Sequence, residues 1–157
     1  MFSKPWNVYR DKTNFIFVGG AGSGKSEIAL NFARRLKEDT QKEIHFFDMD
    51  MTKPLYRSRD VNEELRADGI WFHYEEQFAD APTMVGGVQA GLKSQERMVV
   101  MDVGGDYIGA RSIGAYAPRL NAENTQVYYV LNAFRPWSDQ LEHIDRTLGE
   151  ILNVSHI

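Results

Sequence analysis

The stretch Gly19-Gly20-Ala21-Gly22-Ser23-Gly24-Lys25-Ser26 decides the fold of this chain. It fits the pattern G-x-x-x-x-G-K-[ST], which is typical of a loop that wraps around phosphate groups. Residues 14–18 before it form a short apolar run rich in β-forming residues, and residues 27–36 after it repeat apolar residues at helical spacing. The pattern requires a strand before it and a helix after it. We therefore interpret residues 19–26, called the glycine-rich loop below, as a phosphate site.

The residue types in the glycine-rich loop suit an anion. Its glycines let the backbone curl so that N–H groups can face a phosphate, and the helix that begins there adds the positive end of its dipole. Lys25 is placed to neutralise the outer phosphates, and the Ser26 hydroxyl to ligate Mg²⁺. The alternative is a glycine-rich turn that only joins a strand to a helix, and the two flanking segments favour the phosphate site over it.

Composition limits the classes of protein to be considered. A chain of 157 residues, 43% of them hydrophobic, suits one domain with a buried core. Its net charge of −4 argues against a surface for nucleic acid or anionic membranes. The absence of cysteine excludes disulfides and thiolate metal sites. Because the sequence has no apolar run of transmembrane length and no recognisable signal peptide, we expect a cytoplasmic protein with no membrane contact and no clear nucleic-acid site.

Apolar runs and helical periodicities alternate along the chain. Strands are expected at residues 14–19, 43–48, 97–102 and 125–131, with a short strand or aromatic packing segment at 70–74. Helices are expected at residues 25–38, 61–67 and 85–92, within 106–119 up to Pro118, and after a cap at Ser138. We expect an N-terminal arm at residues 1–13, a polar loop at 48–60 and the opening of a further strand at 154–157. This alternation predicts an α/β fold, a parallel β-sheet flanked by helices on both faces, in one domain over residues 14–157.

An aspartate ends the apolar run of the expected strand at residues 97–102. Asp102 is expected to hold Mg²⁺ through water, opposite Ser26, like the acidic strand end of phosphate-loop nucleotidases. Gly104 and Gly105 leave room for a γ-phosphate, which a backbone N–H at this turn can sense. The alternative is an ordinary strand-end aspartate that begins a turn, and the glycine-rich loop favours the nucleotide role.

A second acidic pair follows the expected strand at residues 43–48. Asp48 and Asp50 are separated by one residue, so in an extended segment both side chains point the same way, towards a metal or an attacking water. Arg57 and Arg59 share this spacing and could pair with phosphate or with an acidic group of a partner. Arg111 and Arg135 are weaker candidates of the same kind. For all of these side chains the alternative is a solvated position at a turn or on the surface.

These motifs together resemble the MinD/ParA-type group of phosphate-loop ATPases. The resemblance rests on the glycine-rich loop, on Asp48-x-Asp50 and on Asp102-x-x-Gly105, and it covers approximately residues 14–152. It implies a three-layer fold that binds ATP and Mg²⁺, and it implies that residues 48–60 and 102–112 act as switches.

The same resemblance implies roles for individual residues. Lys25 and Ser26 would bind phosphate and Mg²⁺, and Asp50 would orient or activate the hydrolytic water. The residues expected to bind the nucleotide are Gly19, Gly20, Ala21, Gly22, Ser23, Gly24, Lys25, Ser26, Glu27 and Gly105. The expected metal ligands are Ser26, Asp48 and Asp102, and the expected catalytic residues are Asp50 and Lys25.

The chain departs from the pattern of the group at three points. It has none of the cysteines that some members use at the dimer interface, so the resemblance implies no thiolate metal or iron–sulfur role. Gly20 stands where members of the group carry a signature lysine that reaches across a nucleotide-sandwich dimer. Hydrolysis is therefore expected to be slow or partner-dependent. Members also continue with another strand whose following residues contact the base. Since this sequence ends at Ile157, where that strand would begin, we expect either a minimal or a C-terminally truncated version of the domain. We prefer ATP over GTP as the nucleotide only because most members of the group use ATP.

Three functions remain open from the sequence. The first is a Mg²⁺-dependent ATP-binding switch that hydrolyses ATP slowly and acts on an unknown protein partner, with a homodimer as one option. The second is a small-molecule kinase that uses Arg57, Arg59 and a pocket around residues 71–74 to hold an acceptor. The third is a non-hydrolysing module whose fold the nucleotide stabilises for a partner.

Overall fold

The computed structural model describes residues 11–50, 55–74, 87–136 and 138–157, with the backbone alone at residues 55–59. Its strands are β1 (Asn14–Val18), β2 (Glu43–Met49), β3 (Trp71–His73), β4 (Arg97–Val103) and β5 (Thr125–Tyr129). They form one sheet in the order β3-β2-β4-β1-β5, and every neighbouring pair is parallel. The strand that precedes the glycine-rich loop therefore lies between β4 and β5.

Helices connect the strands. They are α1 (Lys25–Asp39), α2 (Leu55–Ala67), α3 (Val88–Lys93), α4 (Tyr107–Ser112), α5 (Ala117–Leu120) and α6 (Leu141–Ser155), with a 3-10 turn at Gly114–Tyr116. None of the helices in the described ranges is long and apolar enough to cross a membrane.

The central strands β1, β2 and β4 are largely buried on both faces because each face carries its own apolar core. Successive residues of β1 alternate between the two cores: Phe15 and Phe17 pack with the side chains of α1 and α2, and Ile16 and Val18 pack with those of α3 to α6. Runs of apolar residues without polar alternation are typical of parallel strands covered on both sides. The prediction of a parallel sheet flanked by helices on both faces is confirmed.

The prediction of a strand at residues 154–157 is wrong. Helix α6 continues to Ser155, and His156 ends it in the left-handed conformation with φ 59°. Val154 and Ile157 pack against the core on the α3-to-α6 face. Strand preference of β-branched residues depends on packing against neighbours. Here the same side chains are buried from a helix and its end, so the packing decides the structure.

Three helix ends also differ from the expectation. Helix α6 begins at Leu141 with Gln140 as its N-cap, while Ser138 is a turn residue whose N–H donates to the carbonyl of Arg135. Helix α2 begins at Leu55, within the segment expected as a polar loop. Pro118 lies in the first turn of α5 and does not end a helix there, since a first-turn proline has no N–H that needs an intrahelical partner.

Several predictions fall wholly or partly outside the described residues. These are the arm over residues 1–10, the loop at 51–54, the segment at 75–86 and Trp137. The side chains of Arg57 and Arg59 also lie outside the description, although their backbone belongs to α2.

Candidate functional site

The glycine-rich loop joins the end of β1 to the start of α1, as the sequence predicts. Gly22 and Gly24 adopt left-handed conformations with φ 71° and 92°, and the Ser23 N–H donates to the Gly20 carbonyl at 3.2 Å. Gly24 is the N-cap of α1, and no side chain caps the helix. The first N–H groups of a helix have no intrahelical partner, and together with the helix dipole they suit an anion.

Backbone packing encloses the glycine-rich loop on two sides. A methyl group at Gly19 would collide with the carbonyl oxygen of Val130, just after β5. A methyl group at Gly105, just after β4, would lie 2.6 Å from the backbone nitrogen of Ala21. Main-chain atoms cannot swing away as a long side chain does. Both positions therefore require glycine, and the turn after β4 rests directly on the loop.

Two carboxylates lie side by side at the strand ends beside the loop. Asp48 on β2 is in register with Asp102 on β4, and the two side chains are 9% and 0% exposed. The Asp50 N–H donates to Asp48 Oδ1 at 3.0 Å. A methyl group at Gly104 would lie 3.5 Å from Asp50 Oδ1, so the second carboxylate of the Asp48-x-Asp50 pair lies beside the turn after β4.

A cavity of about 310 Å³ runs from these carboxylates into the space between α1 and α2. It is lined by Ser26, Glu27, Leu30, Asn31, Arg34, Phe46, Asp48, Val61, Phe72 and Asp102. All three expected metal ligands thus line one cavity. At the far end of the cavity Arg34 forms ion pairs with Asp68 at 2.7 Å and with Glu64 at 3.1 Å. These ion pairs connect α1 to the end of α2.

The donor set at the cavity fits Mg²⁺. Carboxylate and hydroxyl oxygens are its preferred ligands, and it commonly takes only one or two carboxylates while keeping several waters and substrate oxygens. Asp48, Asp102 and Ser26 supply such oxygens. Within the described residues no group of three or more His, Cys, Asp or Glu side chains could hold a metal, so a protein cage for a transition metal is absent there.

Two polar side chains of the glycine-rich loop are buried. Lys25 is 5% exposed and Ser23 is 7% exposed. The Ser23 hydroxyl is buried without a hydrogen-bond partner among the described residues. Since a buried hydroxyl without a partner is costly, this group is available to an incoming acceptor such as a phosphate oxygen.

Arg135 also reaches the loop, although it was only a weak candidate in the sequence. Its Nε donates to the carbonyl of Gly22 at 3.3 Å. The two residues are 113 positions apart, so no local spacing predicts the contact. It follows from the sheet order, which places β5 next to β1.

The histidines of β2 and β3 lie on the other face of the sheet from the cavity. His45 Nδ1 is 2.9 Å from His73 Nε2, and His45 Nε2 is 3.4 Å from Glu43 Oε2. Both contacts are satisfied by neutral imidazoles when His73 Nε2–H donates to His45 Nδ1 and His45 Nε2–H donates to Glu43. Burial lowers the pKa of His45, and burial with the nearby charges of His45 and Arg97 lowers the pKa of His73 to about 4.

Comparison of the chain with models of known protein families and with curated proteins finds no match.

Proposed function

We propose that the protein binds a nucleoside triphosphate with Mg²⁺ at the glycine-rich loop, hydrolyses it slowly and acts as a nucleotide-controlled switch. The observation that carries the proposal is the register of Asp48 with Asp102 at the strand ends, in one cavity with Ser26. A site for a nucleoside triphosphate needs a loop that binds phosphate and, at the ends of nearby strands, oxygen ligands for Mg²⁺. ATP is preferred over GTP on the resemblance alone.

The loop residues would hold the phosphates. N–H groups of the loop and of the first turn of α1 would donate to phosphate oxygens, as would the buried hydroxyl of Ser23. The ammonium of Lys25, which is almost fully buried, would neutralise the outer phosphates. A charge interaction is stronger there than in bulk water because the local dielectric is low.

The carboxylates would hold the metal and the water. Magnesium, when bound, neutralises charge on the phosphate oxygens. Ser26, Asp48 and Asp102 would hold it, directly or through water. Asp50, tied to Asp48 through its N–H, would orient the water that attacks the γ-phosphorus. With Gly20 in place of a signature lysine, the loop itself adds no second cation, which fits slow hydrolysis.

Switching would pass through the turn after β4. Gly105 packs on Ala21, and a methyl group at Gly109 would lie 2.5 Å from the Cα of Gly104, so α4 is packed backbone to backbone on this turn. A displacement of the turn by a γ-phosphate would therefore displace α4. Tyr107 and Ile108 on α4 are 58% and 72% exposed, which makes them candidates to contact a partner. That partner would be another protein or a second copy of this chain.

Nucleotide titrations test the proposal. Calorimetry with ATP and Mg²⁺ should give saturable binding to the wild type, and Lys25→Ala should weaken it by more than tenfold. Lys93→Ala is the matched control, because this lysine is exposed and ends α3, before the amino end of β4. Equal affinity of the wild type and Lys25→Ala would refute the phosphate role.

The cavity favours one second candidate, the small-molecule kinase. Phe46, Phe72, Leu30 and Val61 give it an apolar part next to the carboxylates, and its volume lies at the lower end of the range of small-molecule pockets. Phosphate release from ATP in water, unchanged by a panel of metabolites, would favour the switch. Release that requires a metabolite would favour the kinase.

The non-hydrolysing module is distinguished by Asp50. If the protein hydrolyses ATP, Asp50→Asn should lower phosphate release while ATP affinity stays within about threefold of the wild type. If neither the wild type nor the variant releases phosphate, the protein only binds nucleotide, and the switch would need another trigger.

A further inference from the structure

Arg135 is held in a defined turn beside the glycine-rich loop. Its N–H donates to the Asn132 carbonyl at 3.0 Å, and its own carbonyl accepts from the Ser138 N–H at 2.9 Å. The Asn132 side chain accepts from the Phe134 N–H at 3.0 Å. The backbone that carries the guanidinium is thus fixed by three hydrogen bonds in the segment that follows β5.

The guanidinium lies on the face of Gly22. Its Nε donates to the Gly22 carbonyl, and a methyl group at Gly22 would lie 3.3 Å from Nε and 3.4 Å from Cζ. Arg135 therefore fills the space that a side chain at position 22 would occupy. Gly22 is also in the left-handed conformation, with φ 71°, so two independent features favour glycine there.

We infer that Arg135 is a positioning residue of the glycine-rich loop, which fixes the Gly22 carbonyl through its hydrogen bond and adds a positive charge beside bound phosphates. This inference rests on the proposed function. Fixing the carbonyl holds the peptide unit between Gly22 and Ser23 in one orientation, and preorganised donors bind an anion without a cost of reordering. The positive charge of Arg135 comes from the same chain, and it lies beside a loop in which Gly20 stands in place of the signature lysine and adds no charge.

The chemistry sets the ligand class on which Arg135 acts. A planar guanidinium has five N–H donors, and one of them binds Gly22. Among the described residues, no other hydrogen bond of this side chain is present. Its effect should therefore extend to any ligand with a pyrophosphate group and should not depend on the base.

Calorimetric titrations of Arg135→Ala, Arg135→Lys and the control Arg119→Ala with pyrophosphate and with ATP, each with Mg²⁺, test the inference. Arg119 is an exposed arginine in α5, before the amino end of β5. It therefore lies near the amino ends of the strands, whereas the glycine-rich loop follows their carboxyl ends. The expected loss for Arg135→Ala is about tenfold for both ligands, which is the effect of one charge-assisted hydrogen bond. Arg135→Lys should recover at least half of this loss on a logarithmic scale, and Arg119→Ala should match the wild type.

A second readout separates positioning from a contribution to folding. Removing a charge next to phosphates should make the dependence of affinity on salt shallower, whereas a residue that only stabilises the fold would not change that slope. Titrations are made at a temperature at which the circular dichroism of each variant equals that of the wild type. An Arg135→Ala variant with the affinity and salt slope of Arg119→Ala would overturn the inference.

The outcome for Lys25→Ala keeps the two proposals apart. If the wild type binds neither ligand, or Lys25→Ala binds as the wild type does, the proposed function fails. If Lys25→Ala loses binding and Arg135→Ala does not, only the role of Arg135 fails.

Discussion

Replacing Gly105 by alanine should separate the turn after β4 from the glycine-rich loop. The added methyl group would lie 2.6 Å from the Ala21 nitrogen and 2.7 Å from the Ala21 Cα, whereas ordinary van der Waals contact begins at 3.4 Å. The two segments must therefore move apart by about 0.8 Å, the difference between 3.4 Å and 2.6 Å. Because both atoms at the contact belong to the backbone, no rotamer change can relieve it.

The expected cost follows from this overlap. Inserting a methyl group into a packed contact typically costs about 1–3 kcal/mol. Gly149→Ala is the matched control, because Gly149 lies within α6 and a methyl group there would meet no atom within 4 Å. Alanine in a helix is favoured over glycine by about 1 kcal/mol, so the control should be slightly more stable than the wild type. Urea denaturation followed by circular dichroism measures both changes.

The same substitution should weaken MgATP binding, since the displaced turn would no longer rest on the loop that holds the phosphates. Gly149→Ala should leave the affinity unchanged. A Gly105→Ala protein with the wild-type free energy of unfolding and the wild-type affinity for MgATP would refute the packing described here.

Three further predictions concern charge, metal and core. Because burial holds the pKa of His73 at about 4 in the folded protein against 6.5 in the unfolded chain, the unfolded state takes up the proton first, and the free energy of unfolding should fall as the pH is lowered from 6.5 to 4. The loss of unfolding free energy is at most about 3 kcal/mol, and it is smaller because solvent screens this partly exposed ring. Urea denaturation at several pH values should show a shallower fall of the unfolding free energy for His73→Phe. Equal pH dependence in the wild type and the variant would contradict the lowered pKa of His73. Asp102→Asn should reduce the gain in ATP affinity that Mg²⁺ gives, measured by calorimetry with and without EDTA. The control Asp145→Asn, on the exposed side of α6, should keep the full gain. An unchanged effect of Mg²⁺ on the ATP affinity of Asp102→Asn would exclude Asp102 as a metal ligand. Leu65→Ala should cost about 2–5 kcal/mol of unfolding free energy because Leu65 is fully buried on the α1–α2 face, and a loss below 1 kcal/mol would contradict that packing.

The strand pattern and the acidic pair could be predicted because the information is local. Residues 15–18 form an uninterrupted apolar run, which predicts a strand covered on both sides. Asp48 and Asp102 each follow such a run, and the carboxyl ends of parallel strands meet at one edge of the sheet. Their common edge therefore follows from the fold class, whereas their direct adjacency depends on the strand order, which places β2 next to β4.

The role of Arg135 and the end of α6 depend on information that is not local. Arg135 meets Gly22 only because β5 is the neighbour of β1, and the sequence does not state the strand order. Residues 154–157 contain two β-branched residues, Val154 and Ile157, and the sequence pattern there fits the start of a strand. The side chains pack from α6 onto the core instead, and this tertiary contact outweighs the local preference.

Backbone amide resonances of the glycine-rich loop, recorded by ¹⁵N NMR with and without MgATP, would show whether phosphates bind at this loop. We expect large shifts at the amides of residues 20–27 and at Gly105, and only small shifts when adenosine replaces ATP, since the phosphates make the contact. Amides of α5, which precedes the amino end of β5, should stay unchanged. Unchanged loop amides at saturating MgATP, or shifts confined to α5, would contradict a phosphate site at this loop.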